Sequence, residues 1–593
     1  MPLGPDSVAP AASTPAARSR LLWGALAGLL VSAGFWSPAF RVPRSTGFGD
    51  WQMVHHNWEV GYVALTRFGQ WPLWDPSFCG GITAFGNPEA QHFSPLFVLA
   101  LVLGTTLATK AFLVLHASAG LCGMYLFARR AFGVHPAAAS LAALAWGCSG
   151  FFAWHGAGGH ATFLPFYFAP WLLLALRRCE RDLHYAIAVA ALLVLVLLEG
   201  GTYPFPYFVL LLGVEGLARL RAAGTRRSVS VAAAVAALTL LLGAIRLLPV
   251  RAALARMPRL TQSDDALALP EVLQMLTARD HEWRYAPHRF VWPEYGSFVG
   301  WGVVLLAGLG VVVALRRKRY ALLAGLAIFL LLMLGERGAL YPWALLHHLP
   351  VFDSLRVPSR FAVLFTFYLA LCAALALDAA LRLWAAHAPK RPRVGGMAGF
   401  VVVALLGADL FVVNLHTINR WDGPPISQEQ PAARFHLVPA GNFQFLYASL
   451  PHKNLGIAAC YAGGMNWVVS PALWFGDVPQ VRFAPGYARL LSFTHTPNEL
   501  RVHVLADQPT RMILNQNFDP DWQSDLGQVL EDRGRLAVEL PAGEHELRLR
   551  YRPATLLPAI ALFGLGCIVS ALWLVRVSRR RRVRISAHDK RSR

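Results

Sequence analysis

The repeating pattern along this chain is an apolar run of about 20 residues, a short polar hairpin, then another apolar run. Such runs fall near 21–38, 109–128, 137–154, 161–176, 184–199, 203–219, 229–248, 298–315, 320–335, 361–383, 396–415 and 555–576. A run of that length suits a helix that crosses the hydrocarbon core of a bilayer. The pattern therefore predicts a polytopic α-helical membrane protein with about 12 transmembrane helices. A further apolar stretch, "SPLFVLALVLGTTLA" (94–108), is expected to lie as a helix along the membrane surface. With that choice, the hairpins Arg129–Arg130, Arg177–Arg181, Arg219–Arg227, Arg316–Arg319 and Lys390–Arg393 share one side with the C-terminal tail. The positive-inside rule makes that side the cytoplasm, and Arg18 and Arg20 put residues 1–20 there too. "ARSRLLWGALAGLLVSAGFW" has a long apolar stretch and no clear cleavage site, so it reads as a retained first helix, not a signal peptide.

The pattern changes after 415. Within 416–554, "ELRVHVLADQPTRMILNQNF" and "GRLAVELPAGEHELRLRYRP" alternate apolar and polar residues, with the turn signals "DPD" and "PAG" between runs. This predicts an extracytoplasmic β-sandwich-like domain, hung before the last helix at 555–576. The membrane part then spans 21–415, with a large first outer loop at 39–108. The basic tail 577–593 is expected to be disordered and to touch anionic lipid.

Composition narrows the function classes. The chain is 55% hydrophobic and 15% charged, too apolar for a soluble protein of several domains. Its net charge of +21 raises the question of nucleic acid. The basic residues, however, sit in short clusters between apolar runs, as membrane hairpins do, so no nucleic-acid partner is expected. The seven cysteines show no metal-ligand spacing. Only Cys79 and Cys460 fall in segments predicted to lie outside, where one disulfide is open to the chain.

Candidate chemistry gathers on the predicted outer face. Asp50, in "STGFGDWQMVHHNWE", follows the first helix and precedes a stretch with helical periodicity. It can cap that helix, or act as a general base if apolar surroundings raise its pKa. Downstream, Trp74, Asn87 and Glu89 lie in "GQWPLWDPSFCGGITAFGNPEAQHFSPL", where aromatics and glycines interleave. That segment can form a shaped surface for a sugar or lipid, or merely anchor at the interface. His155 and His160 flank "GAGG", and Glu199 and Tyr203 lie in "LEGGTYPFP". A carboxylate at the membrane boundary is costly, so Glu199 is either functional or paired within the bundle. The two histidines lack a third ligand at zinc spacing, so no metal or other cofactor is expected; a divalent ion has no pattern behind it.

Outer arginines run against the positive-inside trend. Arg356 and Arg360, in "FDSLRVPSRF", flank Pro358 at a helix start, where two guanidiniums suit a phosphate. Anchoring to lipid headgroups is the plainer reading. Arg246, Arg251 and Arg256 form a second basic stripe, and Glu294 and Tyr295 in "VWPEYGSFVGW" can close the site from above. The D-x-D of Asp519 and Asp521 contains Pro520 and reads as a turn, not a nucleotide-sugar metal site.

Four features, in this order, resemble the YfhO family of bacterial membrane proteins, which have the GT-C glycosyltransferase fold. They are "FGDWQ" with "WPLWDPSFCGGITAFGNPEAQHFSPL", "HATFLPFYFAPWLLLALRR", "FDSLRVPSRFAVLFTFYLALCAAL", and "NFDPDW" followed by "LAVELPAGEHELRLRYRP". The resemblance implies a GT-C-like bundle and sugar transfer from a polyprenyl-phosphate donor to a cell-envelope glycan, polymer or lipid. It places that site on the outer face of the bacterial cytoplasmic membrane. It also implies Asp50 as the catalytic carboxylate, since the first outer loop of GT-C enzymes commonly carries it. No second acid stands two residues from Asp50, unlike in metal-using relatives. A lipid-linked glycan flippase and a non-catalytic envelope-assembly scaffold are the competing readings.

Overall fold

The computed structural model describes residues 15–589 except 260, 262, 264, 281–289, 428, 440, 442–443, 461–466 and 485. Most of the predicted cytoplasmic N-terminus, 1–14, lies outside the described residues.

Every apolar run predicted to span the membrane is helical, but not every one is long enough to cross it alone. Among the described residues six helices are, by length and composition: Thr105–Phe132, Pro136–Gly158, Thr225–Arg256, Pro358–His387, Arg393–Ile418 and Leu556–Arg580. Leu22–Phe35, Leu183–Leu198, Trp301–Arg316 and Tyr320–Met333 are apolar but shorter. At about 1.5 Å per residue they fall short of a core about 30 Å thick. The run predicted at 161–176 breaks in two, a 3-10 turn Ala161–Phe168 around Pro165 and the helix Ala169–Cys179. The described residues thus support a helical membrane bundle with six helices long and apolar enough to cross, and the count of about twelve is not confirmed.

Pro358–His387 is the central element: its most apolar stretch is wholly buried, against 17% for Leu556–Arg580 at the periphery. Helices Trp301–Arg316, Pro136–Gly147 and Tyr320–Met333 pack around it. The stretch 94–108 forms a short 3-10 turn, Pro95–Phe97, and a six-residue helix, Val98–Leu103. Gly104, at φ 76, then breaks the chain's direction before the next helix. Six residues rise only about 9 Å, too little to cross. The last helix continues as Leu556–Asp589 into the basic tail, which is helical there and not disordered as expected.

The sheet domain is a sandwich of two four-stranded antiparallel sheets. One has the order Val529–Asp532, Arg535–Leu540, Thr510–Asn517, Val481–Ala484. The other has the order Ala488–Thr496, Glu499–Ala506, Gly543–Tyr551, Trp522–Ser524. Val502, Val504, Met512, Leu514, Val538 and Leu547 fill the space between them. This is the alternation read from the sequence, now facing a shared core.

The first loop is stitched to this sandwich. Trp74 is buried in the sandwich core, against Trp522 and Tyr551, and its indole N–H donates to Gln516 at 2.9 Å. Asn517 Nδ2 donates to the carbonyls of Cys79 (2.6 Å) and Gly81 (3.1 Å). Cys79 and Cys460 form a disulfide, with Cα atoms 4.6 Å apart. Asp519 and Asp521 form a turn, as read: Asp519 Oδ1 accepts the Asp521 N–H, and Arg256 bridges both carboxylates at 2.9 and 3.0 Å.

Candidate active site

Two glycine-bearing loops meet at one end of the bundle and build the site. "GFGD" brings Asp50 to the start of helix Trp51–Phe68. The Asp50 N–H donates to the carbonyl of Gly158 at 3.0 Å, and Trp51 Nε1 donates to Gly156 at 2.8 Å. Gly159 has φ +91, and a Cβ there would stand 2.2 Å from the Trp51 nitrogen. Only glycine permits this approach, which is why "HGAGGH" carries glycines.

Asp50 occupies the N-cap position but makes no side-chain cap hydrogen bond. Its carboxylate lies 3.3 Å from His160 Nε2, with the Asp50 side chain about one-third exposed. The helix-cap reading is therefore corrected. His160 Nδ1 in turn lies 2.5 Å from Nδ1 of the buried His155, within hydrogen-bond distance, so a line of rings runs from His155 through His160 to Asp50.

The carboxylate opens on a cavity of about 290 Å³. Facing it are Glu89, Tyr203, Arg259, Arg356 and Arg360. Arg356 is exposed, has no ion pair among the described residues, and lies over the Phe290 ring at 5.6 Å. Arg360 is buried, and its fork is bidentate on Glu294: Nε to Oε2 at 2.7 Å and Nη2 to Oε1 at 2.6 Å. Its face stacks 4.3 Å from Tyr203 and 4.9 Å from Phe163. Arg360 is thus held rigid at the cavity wall, with much of its charge already balanced. Burial alone would raise the Glu294 pKa, but Arg360, with His160 and His155, outweighs it and holds the carboxyl below its ordinary range. Burial raises the Glu89 carboxyl and lowers the Arg259 guanidinium, each partly offset by the other's charge.

Glu89 owes its place to Arg246. That buried guanidinium donates to the carbonyls of Phe85 (3.0 Å) and Asn87 (2.6 Å) and lies 4.2 Å from the Phe93 ring. Asn87 Oδ1 accepts the Glu89 N–H at 3.0 Å. Arg246 and Asn87 therefore shape the loop and do not face the cavity; a guanidinium spent on two carbonyls in the interior is not available to a phosphate. Other predicted site residues also lie elsewhere. Arg251 is exposed away from the cavity, and Trp74 is buried in the sandwich core. Glu199 is buried against His116 (2.9 Å) and Ser94 (3.2 Å), the paired-in-bundle reading. Tyr295 donates to Asp265 at 2.8 Å behind the wall.

Arg259, Asn57, Thr202 and Thr261 line the cavity and escaped the sequence reading. Arg259 follows the helix break at Met257, where the spacing that linked Arg246, Arg251 and Arg256 no longer holds. His155, His160 and Glu294 bring three metal-type donor atoms within 4.8 Å of one another. The donor set suits a divalent ion in type. Both Glu294 oxygens are already taken by Arg360, so a cation there would compete with a guanidinium.

In sequence, no protein-family model and no curated protein matches the chain. Among solved structures, the chain is similar to the arabinofuranosyltransferase AftD from mycobacteria, at 16% identity and a TM-score of 0.46. The match covers 74% of this chain and 32% of AftD, so the chain spans about a third of that protein's length. A similarity this shallow assigns neither fold nor activity to the chain.

Proposed function

We propose that this chain is a membrane glycosyltransferase of the GT-C type. It takes a sugar from a polyprenyl-phosphate-linked donor and gives it to a cell-envelope acceptor, on the outer face of the bacterial cytoplasmic membrane. One observation carries the reading: Asp50 shares a single cavity with Arg259, Arg356 and Arg360. A transferase of this kind needs a base and a cationic phosphate seat within one substrate's reach. The resemblance to YfhO proteins points the same way.

The chemistry is a displacement at the anomeric carbon. The bond from that carbon to the phosphate oxygen breaks, and its electron pair leaves with the polyprenyl phosphate. Arg356 and Arg259 stabilise that charge, while Arg360, fixed by Glu294, sets the cavity wall. The acceptor hydroxyl oxygen forms the new bond, and its proton passes to Asp50. His160, 3.3 Å away, orients the carboxylate. A flippase needs polar groups along a path through the bundle. Here the cavity's charges collect at one end, which favours transfer.

The test is reconstitution in vesicles with a radiolabelled polyprenyl-phosphate sugar and a mixed pool of envelope acceptors. Label appearing in a new glycosidic bond is the expected result. Label that crosses the bilayer while still on its carrier would replace this reading with the flippase.

A further inference from the structure

The motif "HGAGGH" carries two histidines, and the chemistry above uses only the second. His160 reaches Asp50. His155 lies behind it, buried against Phe151 and Phe163 with ring centroids 4.2 and 4.7 Å away. The loop turns back on itself: the His160 N–H donates to the His155 carbonyl at 2.9 Å, which brings the two rings together.

The contacts assign the protons. A hydrogen bond between the two Nδ1 atoms needs one N–H and one bare nitrogen. Suppose a neutral His160 were the donor. Its Nε2 would then be bare and would face the Asp50 carboxylate at 3.3 Å, lone pair against lone pair, with Asp50 ionised as a base must be. Suppose instead that either ring carried an extra proton. His155 would then hold a hydrogen on Nε2, a buried atom with no hydrogen-bond partner among the described residues. A buried N–H without an acceptor is rarer in folded chains than a buried acceptor without a donor. One arrangement is left. His155 donates from Nδ1, and His160 accepts there and donates from Nε2 to Asp50.

We infer that His155 is a positioning residue: its Nδ1–H fixes His160 as the neutral tautomer that donates to Asp50. The inference rests on Asp50 as the base and adds what keeps its carboxylate aimed. Without the His155 hydrogen, His160 is free to move its own proton to Nδ1 and turn a bare nitrogen toward Asp50. A base whose partner takes the wrong tautomer is misdirected although every contact distance is kept. His155 reaches no cavity atom, so its effect runs wholly through His160.

The test uses the full-length protein in nanodiscs and three variants of His155. In His155→Asn the amide nitrogen takes the place of Nδ1 and can still donate to His160. In His155→Gln it takes the place of Nε2, and His155→Leu has no donor. Leu and Gln are each expected to lower kcat for sugar transfer about tenfold or more, with KM and polyprenyl-phosphate affinity unchanged. Asn should return kcat to within about threefold of wild type. Retained carrier affinity also reports a folded variant. Wild-type kcat in the Leu variant, or an Asn variant no better than Gln, overturns the inference. The second arm needs no turnover. Nitrogen NMR of protein labelled with 15N-histidine, with signals assigned by their loss in His155→Asn and His160→Asn, should show the proton of His155 on Nδ1 and that of His160 on Nε2. A proton on His155 Nε2 overturns the inference. A wild type that transfers no sugar overturns the glycosyltransferase reading, a separate failure that leaves the NMR result to decide the tautomer.

Discussion

Asp50 and Asp519 are both aspartates in loops beside arginines, yet their surroundings differ in kind. Asp519 is clasped by Arg256 and spends an oxygen on the Asp521 N–H, within the seam that joins the first loop to the sandwich. In that seam Trp74, Asn517 and the Cys79–Cys460 pair are likewise committed to partners. Asp50 instead faces a cavity with Arg356, whose guanidinium is exposed. Residue types that look alike in sequence thus divide into frame and site according to whether the fold sets them on a cavity or within a seam. A polar group satisfied in the interior holds structure, and one left open to a cavity can hold substrate.

The comparison can be broken by substitution, most sharply at Arg360, which borders both classes. Arg360→Met leaves Glu294 buried without its partner, at a cost of about 3–5 kcal/mol, read from thermal unfolding in detergent. Unchanged stability with lost transfer would move Arg360 from the frame to the site. Trp74→Ala should cost nearly as much, about 3 kcal/mol, by emptying a large volume of the sandwich core. Its remaining folded fraction should keep the affinity for polyprenyl phosphate. Arg356→Gln should do the reverse. Affinity for polyprenyl phosphate drops by about 1.5–3 kcal/mol, while stability moves by less than about 0.5 kcal/mol.

The smallest effect is a pH dependence within the frame. His56 donates from Nε2 to Asp75 at 2.7 Å and from Nδ1 to the Tyr447 carbonyl at 2.8 Å, tying the Asp50 helix to the first loop and the segment before the sandwich. Burial lowers its pKa, but the Asp75 carboxylate outweighs this and the net shift is upward from 6.5. The folded state therefore binds the proton more tightly. The stability this adds is complete below about pH 6.5 and fades as pH rises through the higher folded value. Comparing wild type with His56→Gln across mildly acidic to alkaline pH should show a gap that narrows as pH rises. A widening gap would contradict the assignment.

Much of this was legible in the chain. The helices, the sandwich alternation and the Asp519–Asp521 turn followed from periodicity and turn chemistry, while compartment left the Cys79–Cys460 pair open without predicting it. What periodicity does not carry is length against thickness: Trp301–Arg316 and Tyr320–Met333 are helical but short, and among the described residues six of the twelve runs are long and apolar enough to cross. Site residues were legible by type and not by partner. Glu199 and Arg246 looked like Asp50 and Arg356 until the fold brought His116 to one and two carbonyls to the other. Those contacts join segments more than 80 residues apart, which no local pattern records. The Asp50 cap was misread for a similar reason, because His160, far along the chain, competes for the carboxylate.

The central claim is that Asp50 belongs to the site and not to its own helix. Its most direct measurement is sugar transfer by Asp50→Asn, with polyprenyl-phosphate binding followed in the same preparation. The account predicts that binding is retained while transfer falls by about 10²–10⁴-fold. Transfer at the wild-type rate by a variant that binds the carrier would contradict it.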